Sequence, residues 1–137
     1  MQFKKRIKQR PNIRWRYLLS APFIYIVIFP IVLLDVAIEI YQQVCFPLYG
    51  IPVLRRKNYI RIDRHKLSYL NALEKLNCMY CGYASGVFYF SSAIAKETEK
   101  YWCGIMHNKY DGFKVPEHQR TFLPYNDEAA FKTFLKD

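Results

Sequence analysis

With 137 residues and a formal net charge of +10 at pH 7, the chain has room for one domain plus an anchor and favours anionic partners: lipid head groups, nucleic acid or acidic proteins. Its 12 Tyr and 10 Phe beside many Lys and Arg fit a membrane surface or an RNA-binding face, and the placement of the apolar residues decides between them. No Ser-His-Asp set, phosphate loop or acid/base pair in an identifiable cleft is written in the sequence, so no enzyme class is indicated.

Residues 1–16 carry Lys4, Lys5, Arg6, Lys8, Arg10, Arg14 and Arg16 and no acid. This is a juxtamembrane basic segment or the n-region of a signal. Residues 17–34 then contain no charge. At helical rise they reach about 27 Å, close to the hydrocarbon thickness. The run exceeds an ordinary signal h-region and no small-x-small cleavage site follows it, so it reads as retained in the membrane. Pro22 and Pro30 each remove a helical hydrogen bond and favour a bend. Further on, Asp35, Glu39 and Gln42 or Gln43 recur on one helical face, with Val32, Leu33, Val36, Ala37, Ile40 and Val44 on the others. This predicts an amphipathic interfacial helix up to residue 44. Asp deep in lipid costs about 2.5–3.5 kcal/mol, so Asp35 and Glu39 belong near head groups or against protein.

Two topologies compete. A single span puts residues 45–137 across the membrane from the N-terminus. The basic residues Arg55, Arg56, Lys57, Arg61, Arg64 and Lys66 argue otherwise, because the positive-inside rule places both basic clusters on the cytoplasmic side. A re-entrant anchor bent at Pro30, returning through the same leaflet, satisfies it and is favoured. Lys4, Lys5, Arg6, Arg14, Arg16, Arg55, Arg56 and Lys57 are then the membrane-surface cations.

Residues 45–62 form a Pro/Gly-rich and basic connector with a short extended piece at Tyr59–Ile62. Cys45 reads as a small buried or lipid-facing residue, with palmitoylation as the alternative. Asp63 is placed to cap a helix over 64–77, with Leu67, Leu70, Leu73 and Leu76 toward a core. A second helical pattern covers 85–107. The pair predicts a helical hairpin over 63–107, closed by the turn Asn77-Cys78-Met79-Tyr80-Cys81-Gly82-Tyr83. Residues 108–125 are loop-like, and Asn126 is placed to cap a last short helix through Leu135. His65 and His118 read as surface or packing residues.

Cys78 and Cys81 in C-x2-C spacing, with Cys103 and His107 at i and i+4, supply four N/S ligands, the complement of a closed tetrahedral site. Zn2+ suits the set, with iron or an iron–sulfur cluster as the alternative. On one straight helix Cys81 and Cys103 would lie roughly 30 Å apart, so a joined site requires the chain to break near Ala84-Ser85-Gly86. Otherwise the two pairs meet across chains or serve separate purposes. A redox dithiol and inert buried cysteines are the remaining readings.

The stretch Cys78-Met79-Tyr80-Cys81-Gly82-Tyr83 resembles one knuckle of a rubredoxin, whose second knuckle is absent here. A wider set between about Pro30 and His107, Asp63-Arg64, Tyr69-Leu70-Asn71, Glu74-Lys75-Leu76-Asn77-Cys78, Tyr80-Cys81-Gly82-Tyr83, Thr98-Glu99 and Tyr101-Trp102-Cys103, resembles a group of small uncharacterised bacterial membrane proteins. That likeness implies a shared site and names no activity.

The sequence therefore predicts a mainly α protein: a membrane-inserted N-terminal helix (re-entrant or single-span), an interfacial helix, then a small hairpin module with a Cys/His site. The leading function is a membrane-anchored metal-binding protein, with structural zinc and an interaction or accessory role. A membrane-bound redox protein and an interfacial enzyme for lipid-linked substrates are alternatives. Expected partners are anionic membrane lipids, a protein partner and a second copy of the chain. Nucleic acid is disfavoured because the basic residues flank lipid-compatible sequence. The expected location is the inner membrane, with the soluble part cytoplasmic.

Overall fold

The computed structural model describes residues 14–136. Lys4, Lys5 and Arg6 of the basic segment lie outside the described residues. Among the described residues four α-helices follow in order: α1 (Arg14–Ile26), α2 (Ile28–Tyr49), α3 (Ala72–Trp102) and α4 (Glu128–Phe134). Short 3-10 turns at Arg56–Asn58, Arg64–Lys66 and Glu117–Thr121 punctuate the connections.

The α1–α2 junction is a slackened turn. Pro30 has no N–H to give the Ile26 carbonyl, and the regular ladder is interrupted one residue later, at Val27. Val27 nevertheless keeps right-handed helical angles (φ −65°, ψ −16°), and the Ile31 N–H reaches its carbonyl at 3.3 Å. Leu18–Tyr49 is thus one helical stretch of 32 residues, not a re-entrant bend at Pro30. It ends at Gly50, whose φ of 68° lets its N–H reach back to the Phe46 and Pro47 carbonyls.

The expected hairpin is also absent. A single 31-residue helix, α3, runs through the cysteine motif without interruption. Asp63 makes no capping bond and precedes only a three-residue turn. The helix starts eight positions later at Asn71 in a capping box: the Glu74 N–H donates to Asn71 Oδ1 at 2.9 Å, and the Asn71 N–H donates to Glu74 Oε2 at 3.1 Å. Leu73 and Leu76 are exposed rather than turned to a core.

Glycines 82 and 86 do not bend α3; they let another backbone approach it. A Cβ at Gly86 would meet the Ile60 Cα at 2.9 Å, and one at Gly82 would meet the Arg61 carbonyl oxygen at 3.1 Å. The approaching backbone is the strap, residues 51–71, which returns along the helices after Gly50. Contacts between the long helices keep the same order on both. Tyr25 meets Asn77, Asp35 meets Tyr83, Tyr41 meets Thr98, and Tyr49 meets Tyr101 and Trp102. The helices are therefore parallel, and the strap must run back between their ends. Phe46, Phe90 and Ile94 form the small core, backed by Ile38, Tyr41, Ile51, Leu54 and Tyr59.

Beyond α3, the chain folds back on itself through a parallel bridge between Ile105 and Leu123. The final helix is capped by Asp127, which accepts from the Ala130 N–H at 2.9 Å. The expected cap, Asn126, instead turns the chain with φ 58°.

Candidate functional site

The four proposed metal ligands do not converge. Cys78 and Cys81 stand on α3 one turn apart, the first half-buried and the second exposed. Cys103 caps the far end of that same helix, so the unbroken rise puts it about 37 Å from Cys78. His107 lies past the helix end and shares no helical face with Cys103. Among the described residues no group of three or more His, Cys, Asp or Glu is placed to hold a metal ion. The metal-binding function is thereby overturned. The physical reason is the continuity of α3: Gly82, placed in the expected turn, is a helical packing position.

What the fold does bring together is a polar lock facing inward from α2. Asp35, 6% exposed, receives Arg56 of the strap in a two-pronged ion pair, with the Nε bond at 3.2 Å. The Tyr83 hydroxyl of α3 donates to the same carboxylate at 2.8 Å. One side chain thus ties three segments, and its bond to Arg56 raises the guanidinium pKa further. One turn on, Glu39 accepts from Gln42 and Gln43, both at 3.0 Å. Gln42, fully buried, accepts from the Leu54 N–H at 3.3 Å and so satisfies strap backbone.

The outward face of α2 has the opposite character. Phe29, Leu33, Val36, Ile40, Val44 and Leu48 recur every three or four positions and share one side. Phe29, Leu33 and Leu48 are 73%, 71% and 76% exposed. The inner face of this helix buries Asp35 and Gln42 together with Ile31 and Phe46, while its outer face is apolar where a helix folded in water carries polar residues. Leu18–Tyr49 is long and apolar enough to cross a membrane by length and composition, and only 11% of its apolar window is buried, so the fold leaves most of that window uncovered.

A second polar cluster joins the C-terminal arm to α3. The His118 Nε2 donates to Glu99 at 2.6 Å, the Gln119 Nε2 donates to the same carboxylate at 2.6 Å, and the His107 Nε2 stands 3.7 Å away. The His118 bond holds the Glu99 carboxyl below the usual carboxylate range, against an opposing push from burial. His118 Nδ1 and Gln119 Oε1 are buried without a partner. Sequence reasoning paired His107 with Cys103 and set His118 aside. The Glu99–His118 contact spans 19 positions into a loop and leaves no periodic signal.

No family model, curated protein or solved structure matches the chain.

Proposed function

We propose that this chain is a membrane-anchored protein held by α1–α2 at an anionic lipid surface. The exposed apolar outer face of α2 carries this reading. An apolar stripe of about 30 Å from Phe29 to Leu48 would be costly to leave in water, whereas against lipid chains it needs no further cover. Of the only charged residues of α2, Asp35 is buried against the strap and α3, and the half-buried Glu39 is bonded to Gln42 and Gln43 of its own helix. The strap adds Arg55, Arg56, Lys57, Arg61, Arg64 and Lys66 against the single acid Asp63, a surface suited to anionic head groups. By the positive-inside rule these cations support a reading in which the body faces the cytoplasm at the inner membrane.

Substituting Leu33→Arg and Ile40→Arg tests this. Both side chains point away from the body, so in water the changes should be near neutral, within about 0.5 kcal/mol each. Against hydrocarbon each is penalised, up to about 2.5–3.5 kcal/mol at the bilayer centre and less near the head groups. The double variant should leave the membrane fraction while keeping its helical circular dichroism. Equal membrane retention of variant and parent would refute the anchoring role of this face.

A further inference from the structure

We infer that the body inserts into one leaflet, with α1–α2 lying along the membrane rather than crossing it; this rests on the anchoring reading above. The observation is where the strap runs. It leaves α2 at Gly50, meets Gln42 through Leu54 and Asp35 through Arg56, then passes Gly86 at Ile60 and Gly82 at Arg61. From there it continues to the start of α3, near whose first turns Asn77 and Tyr80 bond Tyr25 and the Ile24 carbonyl. The strap thus accompanies the apolar helix from Tyr49 down to the level of Tyr25.

Along that path Arg55, Lys57, Arg61, Asp63, Arg64 and Lys66 are all exposed. If α1–α2 stood perpendicular to the bilayer, these side chains and the extended strap backbone would share the hydrocarbon with it, an arrangement that lipid-facing irregular chain does not tolerate. The charge-free helix projecting beyond the body is only residues 17–24, about 12 Å against a core of about 30 Å. Lying flat resolves both conflicts. The outward face of α2 then sits in the acyl chains of one leaflet, and the strap's cations reach the anionic head groups of that leaflet. The occupant of the apolar face is therefore lipid. Charge complementarity favours it over a second copy, because pairing two such chains through this face leaves the basic strap unmatched.

Single cysteines in a background with Cys45, Cys78, Cys81 and Cys103 changed to Ser test this. Gln2→Cys, Lys57→Cys and Lys136→Cys would each be reacted with a membrane-impermeant maleimide, in spheroplasts and in inverted inner-membrane vesicles. The expected result is labelling of all three from the cytoplasmic side, with loss of labelling from the other. Membrane-bound protein with Gln2→Cys and Lys136→Cys labelled from opposite sides would overturn one-leaflet insertion and leave the anchoring reading standing. Protein that does not sediment with membranes would overturn both. Ile40→Cys should stay monomeric under oxidation; a high yield of disulfide-linked dimer would assign that face to a second copy and overturn lipid as its occupant.

Discussion

Asp35 and Arg56 are unequal partners. The carboxylate is 8% exposed at its side chain and the guanidinium 44%, so each tolerates the loss of the other differently. Arg56→Met strands a buried charge and should cost about 3 kcal/mol, toward the low end for breaking a buried pair. Asp35→Asn leaves a guanidinium that water can reach, and should cost nearer 1.5 kcal/mol. Thermal melts in detergent give the order; an Asp35→Asn loss exceeding that of Arg56→Met would contradict the assignment of burial. The Glu99 cluster has a sign that can be worked out. A carboxyl held below its ordinary value stabilises the fold fully above pH 4.5, and the contribution is lost as pH falls through the lowered folded-state value. Below that point His118 and Gln119 lose an ionised acceptor, and the arm carrying residues 117–123 should release. Trypsin-generated ends after Arg120, trapped by brief acid exposure and rapid neutral digestion, should therefore rise on acidification. In Glu99→Gln they should be high already at neutral pH; an unchanged digestion pattern would separate the arm from this contact. None of these partners was legible beforehand, because loop-mediated contacts have no period to read.

Among the elements, the apolar α1–α2 stretch was visible in the sequence and α3 was not. A charge-free run is a composition signal and survives any fold. The hairpin expectation failed on one ambiguity: Gly82 and Gly86 can relax a turn or admit a neighbouring backbone, and both look identical in a sequence. The rubredoxin-like spacing favours a turn in the same way, whereas the helix start is written in the capping box of Asn71 and Glu74 rather than at Asp63. The packing role makes its own prediction. Gly86→Ala should gain up to about 1 kcal/mol of helix propensity yet be net destabilising, since overpacking against fixed backbone costs about 1–3 kcal/mol. Gly82→Ala, with its wider approach, should cost less. A Gly86→Ala protein that melts higher than its parent would return these glycines to the role of hinges.

For the whole molecule, the decisive feature is an apolar outer face on α2 beside an interior that mixes apolar core with polar anchors. Asp35 and Gln42 serve the interior, where they hold the strap, while Phe29, Leu33, Ile40 and Leu48 are left outside. The sequence periodicity separated these two faces correctly, because 3.6-residue spacing is local. It did not say which face the body would cover, because that depends on a strap returning between two parallel helices. Site-directed spin labels at each position from Val32 to Leu48, in vesicles containing anionic lipid, test the assignment directly. Collision with oxygen, which partitions into hydrocarbon, should peak at residues 33, 36, 40, 44 and 48, while collision with a water-soluble nickel chelate stays low there. Nickel-chelate collision peaking at those same positions would place the apolar face in water and contradict the membrane reading.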